Sequence, residues 1–569
     1  MMIRLTHSPA RGRRGMAMAV VLVLGLLLIG MTGGLVMMAR QQTLNRARYE
    51  TYKDEFAACE EALNKAYAQM QFLKDYHAAD FEAQMAAITP PVVAGYEYPK
   101  FTATKTQDGP FLITEGSLKG YSVKQLAYEI EVTARKRGNT ADRLTHPGVT
   151  LRQTVVITYV PLYIFAIFYD KLMEIAPGAA MQVNGLVHTN GDAYFQSNNG
   201  LDFLAPVSVA GSVYHGRAPS SGQSGSSGDV RFSNDGDMVS MKRGNDADGW
   251  LTHADADWAT AAPERWGNGL ADSSQGITDM SLPLPTTVDP HAIIERADSG
   301  DSQALKDEKF ENKADLKVLV KTNGTIEGQS ASGASVPLTY KVGSTSYEIA
   351  KITTFYDARE GKTVNSLDID ISRLRASGVS PSNGILYVAN EQGGNKYDAV
   401  RLVNGSTLPS SSAGGFTVAT PNPLYIQGDY NTTNKQLAMV AADALSILSN
   451  KWSDANSTDY SKRIANQTTV NCVCMQGIVA TADGNYSGGV ENYFRLLEQW
   501  SGVNLKFSGS IINMWESEIA LGIWKQTGNF YSPPNRLWSW DTALGGLAGP
   551  PGAPSVIYMK RTNWEMPEQ

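Results

Sequence analysis

A group of charged residues in the middle of the chain has the types and the spacing that chemistry would need. These residues are Asp357, Arg359, Glu360, Lys362, Asp368 and Asp370. Asp368 and Asp370 are two apart in a predicted strand, so their carboxylates should share one face. Paired carboxylates can bind Ca²⁺ or act as the acid and base of glycoside hydrolysis. The simpler interpretation is a solvated strand face beside a salt bridge in a turn.

Other chemical signatures are missing from the sequence or have a simpler explanation. The seven histidines are scattered, with no His-x-x-x-His and no Cys/His cluster, so we expect no metal ion and no cofactor. There is no Gly-x-x-x-x-Gly-Lys-Ser/Thr and no Gly-x-Ser-x-Gly, which argues against a P-loop motor and against that class of hydrolase. Four tryptophans near the C-terminus suit a sugar-stacking platform or, more simply, a core or cap. They are Trp515, Trp524, Trp538 and Trp540.

Composition sets bounds on the class of protein. With 569 residues, the chain is too long for one compact core and suits two or three domains. A net charge of −7 gives no reason to expect nucleic-acid binding. Its 53 glycines favour strands and turns. Cys472 and Cys474 form a Cys-x-Cys, in which either one cysteine bridges to another Cys or both are small buried residues of a strand.

Residues 161–569 are predicted to form a β-rich body of short strands that end in glycine corners. Four successive runs carry this pattern: Gly384–Asn390, Asp398–Gly405, Gly415–Thr420 and Pro423–Asn431. The pattern favours an irregular right-handed parallel β-helix, with a β-sandwich as the alternative. We expect one insertion into this body, at 216–380.

Three further predictions concern the two ends of this body. Residues 76–160 should form a small α/β or antiparallel subdomain, with strands that include Gly120–Arg135. Near the C-terminus, we expect a helix at Asn492–Glu498 and the final strand within Leu505–Trp515. The aromatic tail Phe530–Asp541 should then form a cap over an open end of the β-helix.

The first 75 residues are organised around one apolar segment, Met16–Met38. It carries no charge, and as a helix it would be about 35 Å long, enough for the ~30 Å hydrocarbon layer of a membrane. An apolar stripe at steps of three and four continues from Tyr49 to Leu73. One helix over 16–75 should therefore be apolar all round at first and amphipathic afterwards. A basic leader, residues 1–15, precedes it with Arg4, Arg11, Arg13 and Arg14.

A basic leader that ends in Gly15, followed by such a helix, resembles the class III leader of type IV pilins, and most closely that of PilX-type minor pilins. The resemblance implies that a prepilin peptidase cuts between Gly15 and Met16, and that Met16 becomes the N-methylated mature terminus. Most pilins carry Glu at the fifth mature position, where this chain has Val20. This departure favours an accessory or tip-located subunit. An uncleaved membrane anchor with a basic tail is the alternative.

Several runs in the second half of the chain resemble an uncharacterised domain that is attached to PilX-like leaders. They include Phe355–Lys362, Pro423–Asn431, Ala441–Ser449, Gly484–Asn492 and Tyr531–Arg536. This second resemblance implies a place in the cell envelope, and it implies no chemistry.

These features predict a non-enzymatic minor pilin or pilus assembly component. It would cross the inner membrane once and hold its body in the periplasm or outside the cell. Its expected partners are other pilin helices, the prepilin peptidase and, through the body, a glycan or another surface. The alternative is a membrane-anchored β-helix protein that binds or cleaves carbohydrate. That alternative requires Asp357, Glu360, Asp368 and Asp370 to converge in one groove.

Overall fold

The protein is mainly β, with one long helix at its N-terminus, as the sequence predicts. The computed structural model describes residues 13–73, 84–85, 87–116, 118–138, 147–244, 249–393, 397–482, 485–525 and 530–567. Most of the predicted leader, residues 1–12, therefore lies outside the described residues.

Helix α1 (Arg13–Leu73) runs without a break from the apolar segment into the amphipathic one. Its apolar side chains between Met16 and Met38 are exposed, whereas a stripe in its last third is buried. That stripe consists of Ala58, Cys59, Ala62, Leu63, Ala66 and Met70. These positions lie on one side of the helix because residues three and four apart return to the same face.

The buried stripe of α1 packs on a four-stranded antiparallel sheet. In order across the sheet, its strands are β1 (Tyr96–Leu112), β2 (Ser122–Lys136), β3 (Val149–Pro161) and β32 (Ser555–Glu565). Alternate residues of β2, including Ile130 and Val132, face the helix because side chains alternate between the two faces of a strand. Of the two predicted arrangements for residues 76–160, the sheet is the antiparallel one, and its fourth strand comes from the C-terminus.

Residues 165–240 form a first coil of parallel strands, with three strands in each turn. The strands of the first side are β4 (Phe165–Tyr169), β7 (Leu186–Thr189) and β10 (Val207–Val209). Those of the second side are β5 (Met173–Ile175), β8 (Ala193–Phe195) and β11 (Val213–His215). Those of the third side are β6 (Met181–Val183), β9 (Leu201–Phe203) and β12 (Val230–Asn234). Equivalent strands of successive turns pair in parallel.

Residues 316–516 form a second coil, in which strands alternate between two sheets. On one side lie β15 (Leu316–Val320), β22 (Ile385–Asn390), β24 (Gly415–Ala419), β26 (Leu437–Ala442), β28 (Thr468–Ile478) and β30 (Asn504–Glu516). On the other lie β21 (Lys362–Asp370), β23 (Tyr397–Val403), β25 (Leu424–Gln427), β27 (Leu445–Leu448) and β29 (Arg495–Leu496). Strand β20 (Ala350–Asp357) pairs antiparallel with β21.

The two coils share one sheet, which we call the long sheet. The strands that the two coils contribute lie in the order β10, β7, β4, β30, β28, β26, β24, β22, β15, and short strands extend the sheet at both ends, so the chain enters it in the middle, at β4. It builds the first coil outward, crosses to β15 at the far end, and returns through the second coil to β30. There Ile511–Asn513 of β30 pair with Ile167–Tyr169 of β4.

Both faces of the long sheet are buried. One face points into the coils, and residues 280–314, which we call the strap, cover much of the other. The strap contributes Leu282, Ile293 and Phe310 to the core that also holds Phe168 and Met439. Burial on both sides accounts for the continuous apolar runs of strands such as Leu437–Ala442.

The remaining elements are short. The strands are β13 (Asp237–Ser240), β14 (Leu270–Ala271), β16 (Ile326–Ser330), β17 (Ser335–Val336), β18 (Thr339–Val342), β19 (Thr345–Glu348) and β31 (Asn535–Trp540). The short α-helices are Trp258–Trp266, Gln303–Glu308, Phe310–Lys313 and Ile371–Ser377.

Several predictions for the body differ from this structure. The predicted insertion 216–380 contains β12, β15 and β21, which belong to the two coils. The predicted helix at Asn492–Glu498 is wrong, because the segment is part of a 3-10 turn followed by β29. Two further strands follow Leu505–Trp515, so that segment does not hold the final strand. One of them, β31, pairs with β30 where the coils meet, so the aromatic tail lies beside this junction and not over an open end.

Candidate functional site

The N-terminal part of α1 stands away from the rest of the protein. Its large apolar side chains from Met16 to Met38 are 53–77 % exposed. Among the described residues, this is the one helix that is long enough and apolar enough to cross a membrane. Gly15 lies in the first turn of this helix, and the side chain of the next residue, Met16, is exposed. The predicted processing position is therefore in the first turn of α1, directly before its exposed apolar stretch.

Contact between α1 and the sheet begins near Glu55. The Glu55 carboxylate accepts a hydrogen bond from the backbone N–H of Lys136, at 2.8 Å. One turn later, the Cys59 thiol donates to the carbonyl of Val149 at 3.0 Å and accepts from the N–H of Ala134. Burial raises the pKa of Cys59 to about 11, so this group remains a thiol. The helix is thus held on the sheet by its last third and is free before it.

Asp357 and Glu360 lie in the tight turn between β20 and β21, and both are engaged within the protein. The Asp357 carboxylate accepts the backbone N–H groups of Arg359 and Glu360, at 2.7 and 2.9 Å, and the Tyr425 hydroxyl at 2.6 Å. Glu360 pairs with Arg495 at 2.6 Å and accepts the N–H of Gly522. Both carboxylates are buried, so their contacts fix the turn.

Asp368 and Asp370 line one cavity of about 310 Å³, together with Arg373 and Arg401. Asp368 forms a bidentate pair with Arg401, at 2.9 and 2.6 Å, and both side chains are buried. Asp370 caps the helix Ile371–Ser377 by accepting the N–H of Arg373, at 3.0 Å. Each acid therefore already has a structural partner.

The four acids form two separate sites. In the register of the β20–β21 hairpin, Asp357 lies opposite Lys362 at the turn. Asp368 lies opposite Lys351, six residues further along the strand. At about 3.3 Å per residue, this separation is roughly 20 Å. The four carboxylates do not converge in one groove. Arg401 and Arg495, which neutralise two of them, were not singled out by the sequence because they lie 33 and 135 residues away.

The cysteines and tryptophans are also part of the packing. Cys472 and Cys474 are free and buried, with their sulfur atoms 3.5 Å apart, so they form no disulfide. Trp515 is buried. The indole N–H of Trp524 donates to the Tyr531 hydroxyl, and that of Trp540 donates to the carbonyl of Tyr163. Trp524, Trp538 and Trp540 are half-buried, so these contacts agree with the simpler interpretation of the tryptophans as core or cap residues.

Comparisons with known proteins give little further information. No protein-family model and no curated protein matches the chain. Among solved structures, the chain is similar to the competence-associated pilin ComZ from Thermus thermophilus, with 12 % sequence identity and a TM-score of 0.29. The alignment covers 90 % of this chain and 97 % of that chain. A similarity of this size carries no functional conclusion.

Proposed function

We propose that this chain is a non-enzymatic minor pilin or assembly component of a type IV pilus. The first part of α1 would cross the inner membrane, and the β-rich body would be held in the periplasm or outside the cell. The observation that carries this proposal is the shape of α1. An exposed apolar stretch continues in the same helix into a stretch that packs on the antiparallel sheet.

The exposed stretch of α1 has a strong tendency to leave water. Burial of a Leu, Ile, Val or Met side chain contributes about 1.5–3 kcal/mol, and the segment Met16–Met38 offers many of them. Lipid and the apolar helices of other subunits both supply that burial. Gly25, Gly30 and Gly33 face open space, since an added Cβ would meet nothing within 4 Å. Because glycine has no side chain, a second helix can approach closely there.

The proposal includes processing between Gly15 and Met16 by a prepilin peptidase. Support comes from the leader resemblance and from the position of Gly15 in the first turn of α1, whereas the helix packs on the sheet through residues 58–70. Val20, in place of the glutamate that most pilins carry, supports an accessory place in the pilus. Glu360 and Asp368 are in ion pairs, and Asp357 is buried and accepts hydrogen bonds, which supports a body without catalytic acids.

Mass analysis of the mature chain tests the proposal. The full-length chain is expressed in a bacterium that has a prepilin peptidase, and the N-terminal peptide is sequenced. We expect residues 1–15 to be absent and Met16 to carry an N-methyl group, and we expect Gly15→Glu to retain the leader. Gly25→Ala is the matched control, because its added methyl meets nothing and lies ten residues away from the cut. An intact leader in the unchanged chain would contradict the proposal.

A further inference from the structure

Four ionisable side chains from three distant segments meet where the strap crosses the long sheet. His291 belongs to the 3-10 turn Pro290–Ile293 of the strap, and Glu295 follows it. Glu518 lies in the loop after β30, and Asp443 lies at the corner between β26 and β27. One oxygen each from Glu295 and Glu518 and one ring nitrogen of His291 all lie within 4.8 Å of one another.

The ring of His291 is buried, and each of its nitrogens faces a carboxylate. It is 3 % exposed and packs edge-on against the indole of Trp515. Its Nε2 lies 3.4 Å from Asp443 Oδ1, while its Nδ1 lies 2.8 Å from Glu295 Oε1 and 3.7 Å from Glu518 Oε1. Without an ion, Nδ1 donates to the Glu295 carboxylate, which can only accept. When the ring carries its proton on Nε2, beside Asp443, Nδ1 can direct its lone pair to an ion held between the two glutamates.

Asp443 organises both sides of this cluster. It is fully buried and accepts the backbone N–H groups of Glu518 at 2.6 Å and of Ala520 at 2.9 Å. The same carboxylate therefore faces His291 and holds the loop that carries Glu518. In metal sites, a carboxylate behind a histidine fixes the ring and its tautomer in this way.

The charge of the cluster is unbalanced. Among the described residues, His291 is the only ion-pair partner of Glu295, Glu518 and Asp443. Even a protonated imidazole supplies one positive charge against three negative ones, so the cluster favours a cation of higher charge.

The spacing of the ligand atoms suits a small ion. In a tetrahedral zinc site with bonds of about 2.0–2.2 Å, ligand atoms lie roughly 3.3 Å apart. The Nδ1 distances to Glu295 and Glu518, 2.8 and 3.7 Å, lie on either side of that value. The glutamate side chains are 42 % and 60 % exposed, so they can adjust, and solvent can supply a fourth ligand.

We propose that His291, Glu295 and Glu518 bind one zinc ion, with Asp443 as the carboxylate behind the histidine. One imidazole nitrogen with two carboxylate oxygens suits zinc better than calcium or magnesium, which prefer oxygen ligands alone. The ion would connect the strap to the loop after β30. A sequence search for closely spaced metal ligands misses this site because His291 and Glu518 are far apart in the chain.

Zinc titration of the full-length, untagged chain in detergent tests the proposal. After treatment with a chelator, we expect calorimetry to show one saturable zinc site per chain that excess Ca²⁺ or Mg²⁺ does not compete for. Cobalt(II) at the same site should give the visible absorption of a tetrahedral complex. Glu295→Gln and Glu518→Gln should each weaken zinc binding by about tenfold or more.

The matched control is Glu516→Gln, because Glu516 lies two residues from Glu518 in sequence but pairs with Lys171 instead. Its zinc affinity should equal that of the unchanged chain. The side chains of both glutamates are partly exposed, so their variants should fold, and the thermal unfolding midpoint without zinc checks this. Absence of saturable binding would overturn the proposal. Zinc affinity that is unchanged in the double variant Glu295→Gln/Glu518→Gln, or equally reduced by Glu516→Gln, would overturn it as well.

Discussion

At the scale of single residues, the partners of the acids decide what the acids do. Asp368 and Asp370 share one face of β21, as their spacing predicts. The sequence could not show that Arg401 would cover Asp368, because that contact depends on the parallel pairing of β21 with β23. Asp368 is therefore engaged in a buried ion pair and is not open to solvent.

Arg401→Met should destabilise the body strongly. Arg401 pairs with Asp368 and with Asp454, and its loss leaves the buried Asp368 carboxylate without a positive partner. Removing one member of a buried ion pair costs about 3–5 kcal/mol. We expect a decrease of this size in the free energy of unfolding, measured by denaturant titration of the full chain.

Lys171→Met is the control for this prediction. Lys171 and Glu516 form a pair in which both side chains are about half exposed, at 53 % and 52 %. Such surface pairs contribute about 0–1 kcal/mol. A loss below about 1 kcal/mol for Arg401→Met as well would show that the Asp368 site is not a stabilising ion pair.

At the scale of helices and strands, sequence patterns predict the elements that one segment defines, but they do not predict elements that are placed by a distant strand. The stripe from Tyr49 to Leu73 predicts α1, and the alternation in Gly120–Arg135 predicts β2, since each pattern is a property of one segment. Strand β32 has no comparable signal. It is largely exposed toward its end, at Lys560, Arg561 and Trp564, and its place is set by β3, about 400 residues earlier in the chain. The spacing of apolar residues around Asn492 predicts a helix. Two residues of this segment, Arg495 and Leu496, instead pair with β27 as a strand.

Removal of residues 555–569 should open the edge of the antiparallel sheet. Strand β3 would lose the backbone partner that runs along it from Arg152 to Pro161. Tyr67 of α1 would lose its contacts with Met559 and Arg561. We expect faster hydrogen exchange at the amides of β3 that bond to β32.

A chain that ends at Glu565 is the control for this truncation, because it keeps all of β32. Its amides in β3 should exchange at the rate of the full chain. Unchanged exchange in β3 after removal of residues 555–569 would show that β32 does not stabilise the sheet.

At the scale of the whole molecule, the two coils share one sheet and one hydrophobic core. The parallel strands and glycine corners could be predicted, because each turn is short and local. The order of strands in the long sheet could not be predicted, because Ile167 and Ile511 pair although they are far apart in the chain, and no local pattern links them. The same applies to the strap, whose Ile293 and Phe310 cover strands from both coils.

Phe168→Ala should weaken both coils together. Phe168 is fully buried, lies in β4 and is paired with Ile512 of β30, so it belongs to the junction. Truncation of a buried Phe costs about 3–5 kcal/mol. Hydrogen exchange should accelerate equally at Val187 in the first coil and at Val440 in the second.

Trp564→Ala is the control for the junction, since Trp564 is 49 % exposed and lies in the antiparallel sheet. It should leave the exchange of Val187 and Val440 unchanged. Acceleration in only one coil after Phe168→Ala would show that the coils unfold independently.

Pro161 and Ser555 are paired neighbours in the antiparallel sheet, so the chain leaves for the body and comes back at the same place. A mechanical load along α1 is therefore carried into β2 and β3, against which the helix packs, and does not have to pass through the coils. Residues 162–554, which form the body, are thus inserted between β3 and β32 of the sheet. Such an attachment places the contacts that hold the helix in β2 and β3 and not in the turns of the coils.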